Sequence, residues 1–471
     1  MLTAIAQPGS VPIHLLHEED CEAWIAAQAP STQAWIRTNQ YRAERGRHLF
    51  IPDAWGEYQA GPSMVLWGLG RRQERSEISL WDIAGLPDRL GPGAYHFAAA
   101  LPTHQGAQAA LGWLYGQYRF ERYRRKPSAA SAASSAPVLQ CPPGADLRDA
   151  ERIAAACALA RDLINTPTSD LDPEALVAAA VSQGERYGAT YREYVGEELL
   201  TGQFPAVHAV GRASTQPPRL LDMQWGEPSH PKVTLVGKGV VFDSGGLDIK
   251  PSASMLLMKK DMGGAACAIA VAQLVMDARL PVRLRLIVPA VENAIAGNAF
   301  RPGDVLQTRK GLSVEVGNTD AEGRLILCDA LAMADEEKPD LLIDLATLTG
   351  AARVALGAEL PALFSPDPAL RQRFAEVALA HGDPVWGMPL WSGYDDELSS
   401  KIADLNNVSN SGFAGAIIGA LFLRRFVTAT PAWVHLDLYA WNSKDRPGRP
   451  VGAEPHTVRA LYAYLRELYA E

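Results

Sequence analysis

The sequence contains no C-x-x-C pair. Its five cysteines, Cys21, Cys141, Cys157, Cys267 and Cys328, are scattered, which excludes a disulfide framework and a thiolate zinc site and fits a reducing cytoplasm. Positive charge is not in excess either: 44 Lys+Arg against 53 Asp+Glu give a formal net charge of −9, so no global basic field draws the chain to nucleic acid or anionic lipid. Met1 to Asp20 lacks the basic and apolar regions of a signal peptide, and its first charges are acidic (Glu18, Glu19, Asp20). The most apolar stretch, Met262 to Met276, lies between Asp261 and Asp277 and is shorter than the roughly 20 residues of a membrane span. These absences predict a soluble, cytoplasmic protein with no membrane partner. No internal repeat is present, and no G-x-x-x-x-G-K-[ST] spacing accompanies Gly237-Lys238-Gly239, which excludes a phosphate loop.

What is present is an ordinary globular composition, 48% hydrophobic and 21% charged over 471 residues, enough for two or three domains. The sharpest change is the Ser/Ala-rich segment from Pro127 to Pro137, which follows the basic run Arg122, Arg124, Arg125, Lys126. It reads as a linker, with the basic run as the solvated end of a helix. The expected organisation is a small α/β domain over 1–126, a linker over 127–146 and a larger domain over 147–471. In the first part a strand is expected at Ser63 to Leu69 and a helix at Gln105 to Tyr123. In the last, strands at Lys232 to Val236, Val282 to Val288, Leu341 to Ala346 and Trp433 to Leu438 alternate with helices at Gly264 to Ala278 and Leu325 to Glu336. That pattern predicts an α/β fold: a mixed central sheet flanked by helices, with ligands at the carboxyl ends of the strands.

The polar residues gather at those ends. Lys238, Asp243 and Lys250 lie in the glycine-rich segment after the strand Lys232 to Val236; Asp261 precedes one helix, and Asp320 and Glu322 precede another. Carboxylates in that number suit Mg, Mn or Zn, and without a cation they would repel one another. Taken singly each has a plainer role: Thr319-x-x-Glu322 is a capping-box pattern, and Asp261 would complement a helix dipole. Asp243-Ser244-Gly245-Gly246 is similar to the nucleophile segment of chymotrypsin-like proteases, but Phe242 and the α/β pattern argue against Ser244 as a nucleophile. His435, inside a strand, reads as a core histidine.

The octapeptide Asn318-Thr319-Asp320-Ala321-Glu322-Gly323-Arg324-Leu325 matches in full the signature of the dinuclear-zinc leucyl aminopeptidase family, also called cytosol aminopeptidases, which this chain therefore resembles. Collinear matches run through Leu159 to Pro167, Val236 to Gly246 with Lys250, Asp261 to Ala266, Gly297 to Val305 and Ala346 to Ala351. The resemblance implies a metal-dependent aminopeptidase acting on peptides with a free N-terminus. Its metal ligands would be Lys238, Asp243, Asp261, Asp320 and Glu322, holding two divalent ions, Zn or Mn. Its catalytic residues would be Lys250, stabilising the oxyanion, and Arg324, holding a bicarbonate. Met258, Thr347, Leu348, Gly350 and Tyr439 would line the pocket for the substrate's first side chain. There the chain departs from its relatives: Tyr439 stands where alanine is usual, which narrows or reshapes the pocket and puts a preference for leucine in doubt. The family also implies a homohexamer, a dimer of trimers. A DNA-binding accessory or regulatory role, known among bacterial members, is the alternative function; the net charge argues against a nucleic-acid partner, and the only dense basic cluster is Arg122 to Lys126.

Overall fold

A computed structural model of the chain describes all residues except Ala6, 53–61, 73–76, 126–135 and Glu471. Lys126 and 127–135, which hold the end of the basic run and most of the Ser/Ala segment, thus lie outside the described residues. The chain divides into two compact units, Met1–Ala155 with Lys444–Val451, and Ala156–Ser443 with Gly452–Glu471. The division falls inside the helix Leu147–Asn165.

The first unit holds a six-stranded sheet in the order Leu2–Thr3, Val138–Gln140, Ala94–Phe97, Val11–His17, Pro62–Gly70, His48–Pro52. Every pairing is parallel except the last, which is antiparallel. Its core gathers Ile13, Val65, Trp67, Trp113 and Leu139, all buried. The helix expected over Gln105 to Tyr123 runs instead from Thr103 to Gly116. Gly112 and Gly116 let it lie directly against the turn at 80–84, where a Cβ would come within 2.2 Å of the Leu80 and Ala84 carbonyl oxygens. Beyond Gly116 the chain leaves the helix in turns, and Arg119 folds back to donate to the Gly116 carbonyl at 2.8 Å.

The second unit is built on a nine-stranded mixed sheet. Its centre is a run of four parallel strands, Trp433–Asp437, Leu341–Ala346, Lys232–Gly237 and Arg283–Asn293 in that order. They read as apolar runs because helices cover both faces. Antiparallel strands close the flanks: Arg219–Trp225 and then Thr190–Val195 beyond Arg283–Asn293, and Ala362–Phe364 beyond Trp433–Asp437. The short strand Gly239–Asp243 continues past Lys238 and pairs with the far end of Arg283–Asn293, which runs five residues beyond the Val288 end that sequence periodicity suggested.

The helix Gly263–Ala278 begins with two glycines for a steric reason. A Cβ on Gly264 would sit 2.1 Å from the Leu345 carbonyl oxygen, and one on Gly237 would sit 2.5 Å from the Ala265 Cα, so the helix start and two strand ends touch backbone to backbone. Together with the 3-10 turn Met258–Met262 it makes a 21-residue helical run with the length and hydropathy of a membrane span. That run exceeds the stretch expected from sequence because the turn adds to it, yet 89% of its most apolar window is buried inside the unit, as for a core helix.

Candidate metal centre

All four central parallel strands end on the same side, and the polar residues come off those ends. Lys238 follows Lys232–Gly237, Asp243 closes Gly239–Asp243, Thr347 follows Leu341–Ala346, and Asp437 closes Trp433–Asp437. Two helix starts face them: Asp261 from the turn before Gly263–Ala278, and Glu322 as the first residue of the helix Glu322–Glu336.

The structure brings Lys238, Asp243, Lys250, Asp261, Asp320 and Glu322 into one cluster. The Lys238 Nζ lies 2.8 Å from Asp261 Oδ2 and 3.0 Å from Glu322 Oε1, and donates to the Thr347 carbonyl at 2.9 Å. The Lys250 Nζ lies 2.7 Å from Asp243 Oδ2 and 2.5 Å from Asp320 Oδ1. Asp243, Asp320 and Glu322 each present a carboxylate oxygen within 4.8 Å of the others. Lys238 reaches this position because Gly323 has no side chain: a Cβ there would stand 2.3 Å from Lys238 Cε.

Glu322 is not a helix cap. The helix has no side-chain cap, and the Thr319 hydroxyl donates instead to the Gly245 carbonyl at 2.6 Å. Asp261 likewise does more than complement a dipole, since its Oδ1 accepts from Thr347 Oγ1 at 2.8 Å while Oδ2 faces Lys238. Ser244 is committed to the Asn293 carbonyl at 2.6 Å. His435 is fully buried with Nδ1 2.6 Å from Asp344 Oδ1, a core contact between neighbouring strands, while its Nε2 has no hydrogen-bond partner among the described residues.

Four carboxylates face two lysines, and the electrostatics reflect the shortfall. Burial and the neighbouring Asp243 push the Glu322 carboxyl well above its ordinary value, against the pull of Lys238. Burial and Asp243 raise Asp320 to about 6. Burial alone would lower Lys238, but Asp261, Glu322 and Asp243 outweigh it and hold the ammonium well above its usual range. Glu322 is 1% exposed, and its Oε2 has no hydrogen-bond partner among the described residues. A buried carboxylate oxygen without a donor costs free energy unless a cation meets it. The donor set, carboxylate oxygens with one amine, therefore fits hard divalent metal ions.

Arg324, two residues past Glu322, is 7% exposed, and burial draws its guanidinium down to about 10 against the pull of Glu322 and Asp437. Among the described residues its one hydrogen bond runs from Nη1 to the Asn407 carbonyl at 2.6 Å. Among the described residues nothing accepts from the rest of its fork, which suits a small anion.

The residues expected to line a substrate pocket divide. Thr347 touches the cluster through Asp261 and Lys238, and Leu348 is fixed by its N–H to Asp437 Oδ1 at 2.9 Å. Tyr439 is half-buried, its ring 4.5 Å from the Lys260 ammonium and 5.0 Å from the Arg353 guanidinium. Met258 is half-buried at the start of the turn and Gly350, without a side chain, is exposed at the start of the helix Gly350–Leu356. Sequence reasoning missed three supporting residues. Asn293 donates through Nδ2 to Asp243 Oδ1 at 2.8 Å, Asn407 accepts the Gly317 N–H at 2.8 Å and donates to the Asn318 carbonyl at 2.8 Å, and Asp437 holds Leu348 and Thr349. Asn293 and Asp437 close strands in the structure, but the expected strands ended at Val288 and Leu438, so neither stood at an expected end; Asn407 lies in a loop with no signal.

Comparison with known proteins agrees with this geometry. Residues 158–462 match the model of the cytosol aminopeptidase family, catalytic domain, and residues 11–135 that of the M17 aminopeptidase, N-terminal domain. A protein of Geobacter sp. (strain M21) named "Probable cytosol aminopeptidase" is 39% identical over 421 residues, 86% of this chain and 85% of the relative. One of the same name from Mycobacterium bovis is 41% identical over 425 residues, 86% and 82% of the two chains. Among solved structures, the cytosol aminopeptidase from Coxiella burnetii superposes with a TM-score of 0.91 at 42% identity, covering 99% of both chains. The bottromycin maturation enzyme BotP in complex with Mn does so with a TM-score of 0.85 at 32% identity, covering 98% of this chain and 99% of the other. With both its parts matched and its octapeptide folded into a buried carboxylate–lysine cluster, the chain belongs to the cytosol aminopeptidase family.

Proposed function

We propose that the protein is a cytoplasmic dinuclear-metal aminopeptidase that removes the first residue from peptides with a free N-terminus. Asp243, Asp261, Asp320 and Glu322 would hold two divalent ions, Zn or Mn, and Lys238 would join them as a neutral amine, its proton displaced by the adjacent cations. When bound, such ions polarise the scissile carbonyl and make a water nucleophile available near neutral pH. The protein's own groups do the rest. Lys250 places its ammonium at the oxyanion that develops on the carbonyl, a role supported by its position between Asp243 and Asp320. Arg324 seats a bicarbonate on the unpartnered edge of its guanidinium, a group suited to relaying a proton toward the leaving amine. Thr347, Leu348, Met258, Gly350 and Tyr439 wall the pocket for the first side chain. Copies assemble into a hexamer, which would cover apolar surface such as Phe413 and Val354, 84% and 82% exposed.

The observation that carries the reading is Glu322 Oε2, buried and without a partner among like-charged neighbours. The test is a panel of aminoacyl-anilides and dipeptides assayed with the metal-free protein and after addition of Mn, Zn or Mg. Chelation abolishes hydrolysis and Mn or Zn restores it; full activity in the metal-free protein refutes the reading.

A further inference from the structure

Lys260 stands one position before Asp261 and is 5% exposed. A buried ammonium is costly unless acceptors replace its water. The Lys260 ammonium nevertheless makes no hydrogen bond and no ion pair with any described residue; what faces it is the Tyr439 ring, 4.5 Å from Nζ to the ring centre. The two carboxylates that act on it are engaged elsewhere. Asp261 meets Lys238 at 2.8 Å and the Thr347 hydroxyl at 2.8 Å. Asp437 accepts from the Leu348 N–H at 2.9 Å, the Thr349 N–H at 3.1 Å and the Thr349 hydroxyl at 2.6 Å. Arg353 lies on the same ring, 5.0 Å from its centre, and donates to the Tyr439 hydroxyl at 3.2 Å. One aromatic wall thus carries two cations, and among the described residues no carboxylate is left over for Lys260.

We propose that Lys260 makes the first-residue pocket selective for an acidic side chain, its ammonium pairing with the carboxylate of an N-terminal Glu or Asp. The inference rests on the aminopeptidase reading and on Tyr439 as a pocket wall. The carboxylate supplies the charge-assisted acceptor that the fold withholds from Lys260, and Arg353, on the same ring, adds a favourable field. A branched aliphatic side chain in the same place would seal the ammonium from water without pairing it, so the pocket disfavours leucine for the reason that it favours glutamate.

Glu and Gln differ in charge and hardly in shape, so the ratio of their kcat/KM values isolates the pairing. The Mn-loaded enzyme is assayed on anilides of Glu, Gln, Ala and Leu. The wild type is expected to favour Glu over Gln by about 10- to 100-fold, the range for a hydrogen bond to a charged group. Lys260→Met brings that ratio to about one, and Lys260→Arg, which keeps the charge, leaves it above one. A ratio is insensitive to partial loss of metal, and the wild-type value decides even where Lys260→Met does not fold. A wild-type ratio near one, or one that survives Lys260→Met, overturns the proposal. Absence of turnover on all four substrates refutes the aminopeptidase reading itself.

Discussion

Gly323→Ala is the substitution whose sign the structure decides. Position 323 is the second residue of the helix Glu322–Glu336, and on helix propensity alone alanine would stabilise it by about 0.5–1 kcal/mol. The added Cβ, however, would stand 2.3 Å from Lys238 Cε, 2.6 Å from its Nζ and 2.8 Å from its Cδ, all inside the ordinary carbon contact of about 3.5–4 Å and the nearest by more than 1 Å. A flexible lysine on the surface would swing away. Lys238 is 2% exposed and is held by Asp261, Glu322 and the Thr347 carbonyl, so moving its ammonium breaks buried ion pairs at a cost of about 3–5 kcal/mol. The net expectation for the metal-free protein is a loss of about 2–4 kcal/mol, read as a lower urea midpoint at unchanged slope. Mn affinity, measured by calorimetry, falls with it because an amine ligand has been pushed aside. An alanine variant that gains stability and binds Mn as the parent does would show that Lys238 is not pinned across the helix start.

The remaining expectations use the same geometry. Lys250→Ala keeps bound metal but loses rate by roughly 10²–10³, the size of one oxyanion donor, whereas Glu322→Ala loses metal and rate together; equal metal loss in both variants, measured by elemental analysis, would show Lys250 to be a ligand. Tyr439→Ala raises kcat/KM for Leu relative to Ala substrates by opening the pocket wall, and an unchanged ratio in a folded variant would place the ring outside the pocket. Asp335 accepts the N–H groups of Thr428, Ala429 and Thr430, which outweigh its burial and hold its carboxyl below the ordinary value. Its contribution to stability is therefore full above about pH 4 and is lost as pH falls through the depressed value, so the stability gap between wild type and Asp335→Asn in urea melts narrows below pH 4.

The central strands were legible because each is an apolar run bounded by glycine or charge; of the clustered residues, Lys238, Asp243 and Lys250 follow one such run, Asp261, Asp320 and Glu322 precede helices, and their assignment as a ligand set came from the octapeptide's resemblance to a known family. The flanking strands were not: Thr190–Val195 is largely exposed and carries Tyr191, Arg192 and Glu193, so no apolar alternation announces it. Lys260 was missed for another reason. In the run Lys259-Lys260-Asp261 nothing in composition separates one lysine from the next; the 3-10 turn does so, leaving Lys259 half-exposed with its ammonium on the Asn165 carbonyl and turning Lys260 inward. Likewise Thr319-x-x-Glu322 satisfies the capping-box pattern in letters, while the loop that carries it is held by Gly245 and Asp248 and leaves the hydroxyl no reach to the helix.

The order of the central strands also governs how the second unit comes together. Arg283 lies opposite Lys232, Leu341 opposite Val233 and Leu342 opposite Trp433, so every parallel pairing closes a long loop before it returns any burial. Until those loops close, the helix Gly263–Ala278, apolar on every side and fully buried up to Met276, has nothing to cover it. Refolding from denaturant is therefore slow and yields less soluble protein as concentration rises, the loss falling on the chain while it is still an unpaired helix in search of a sheet.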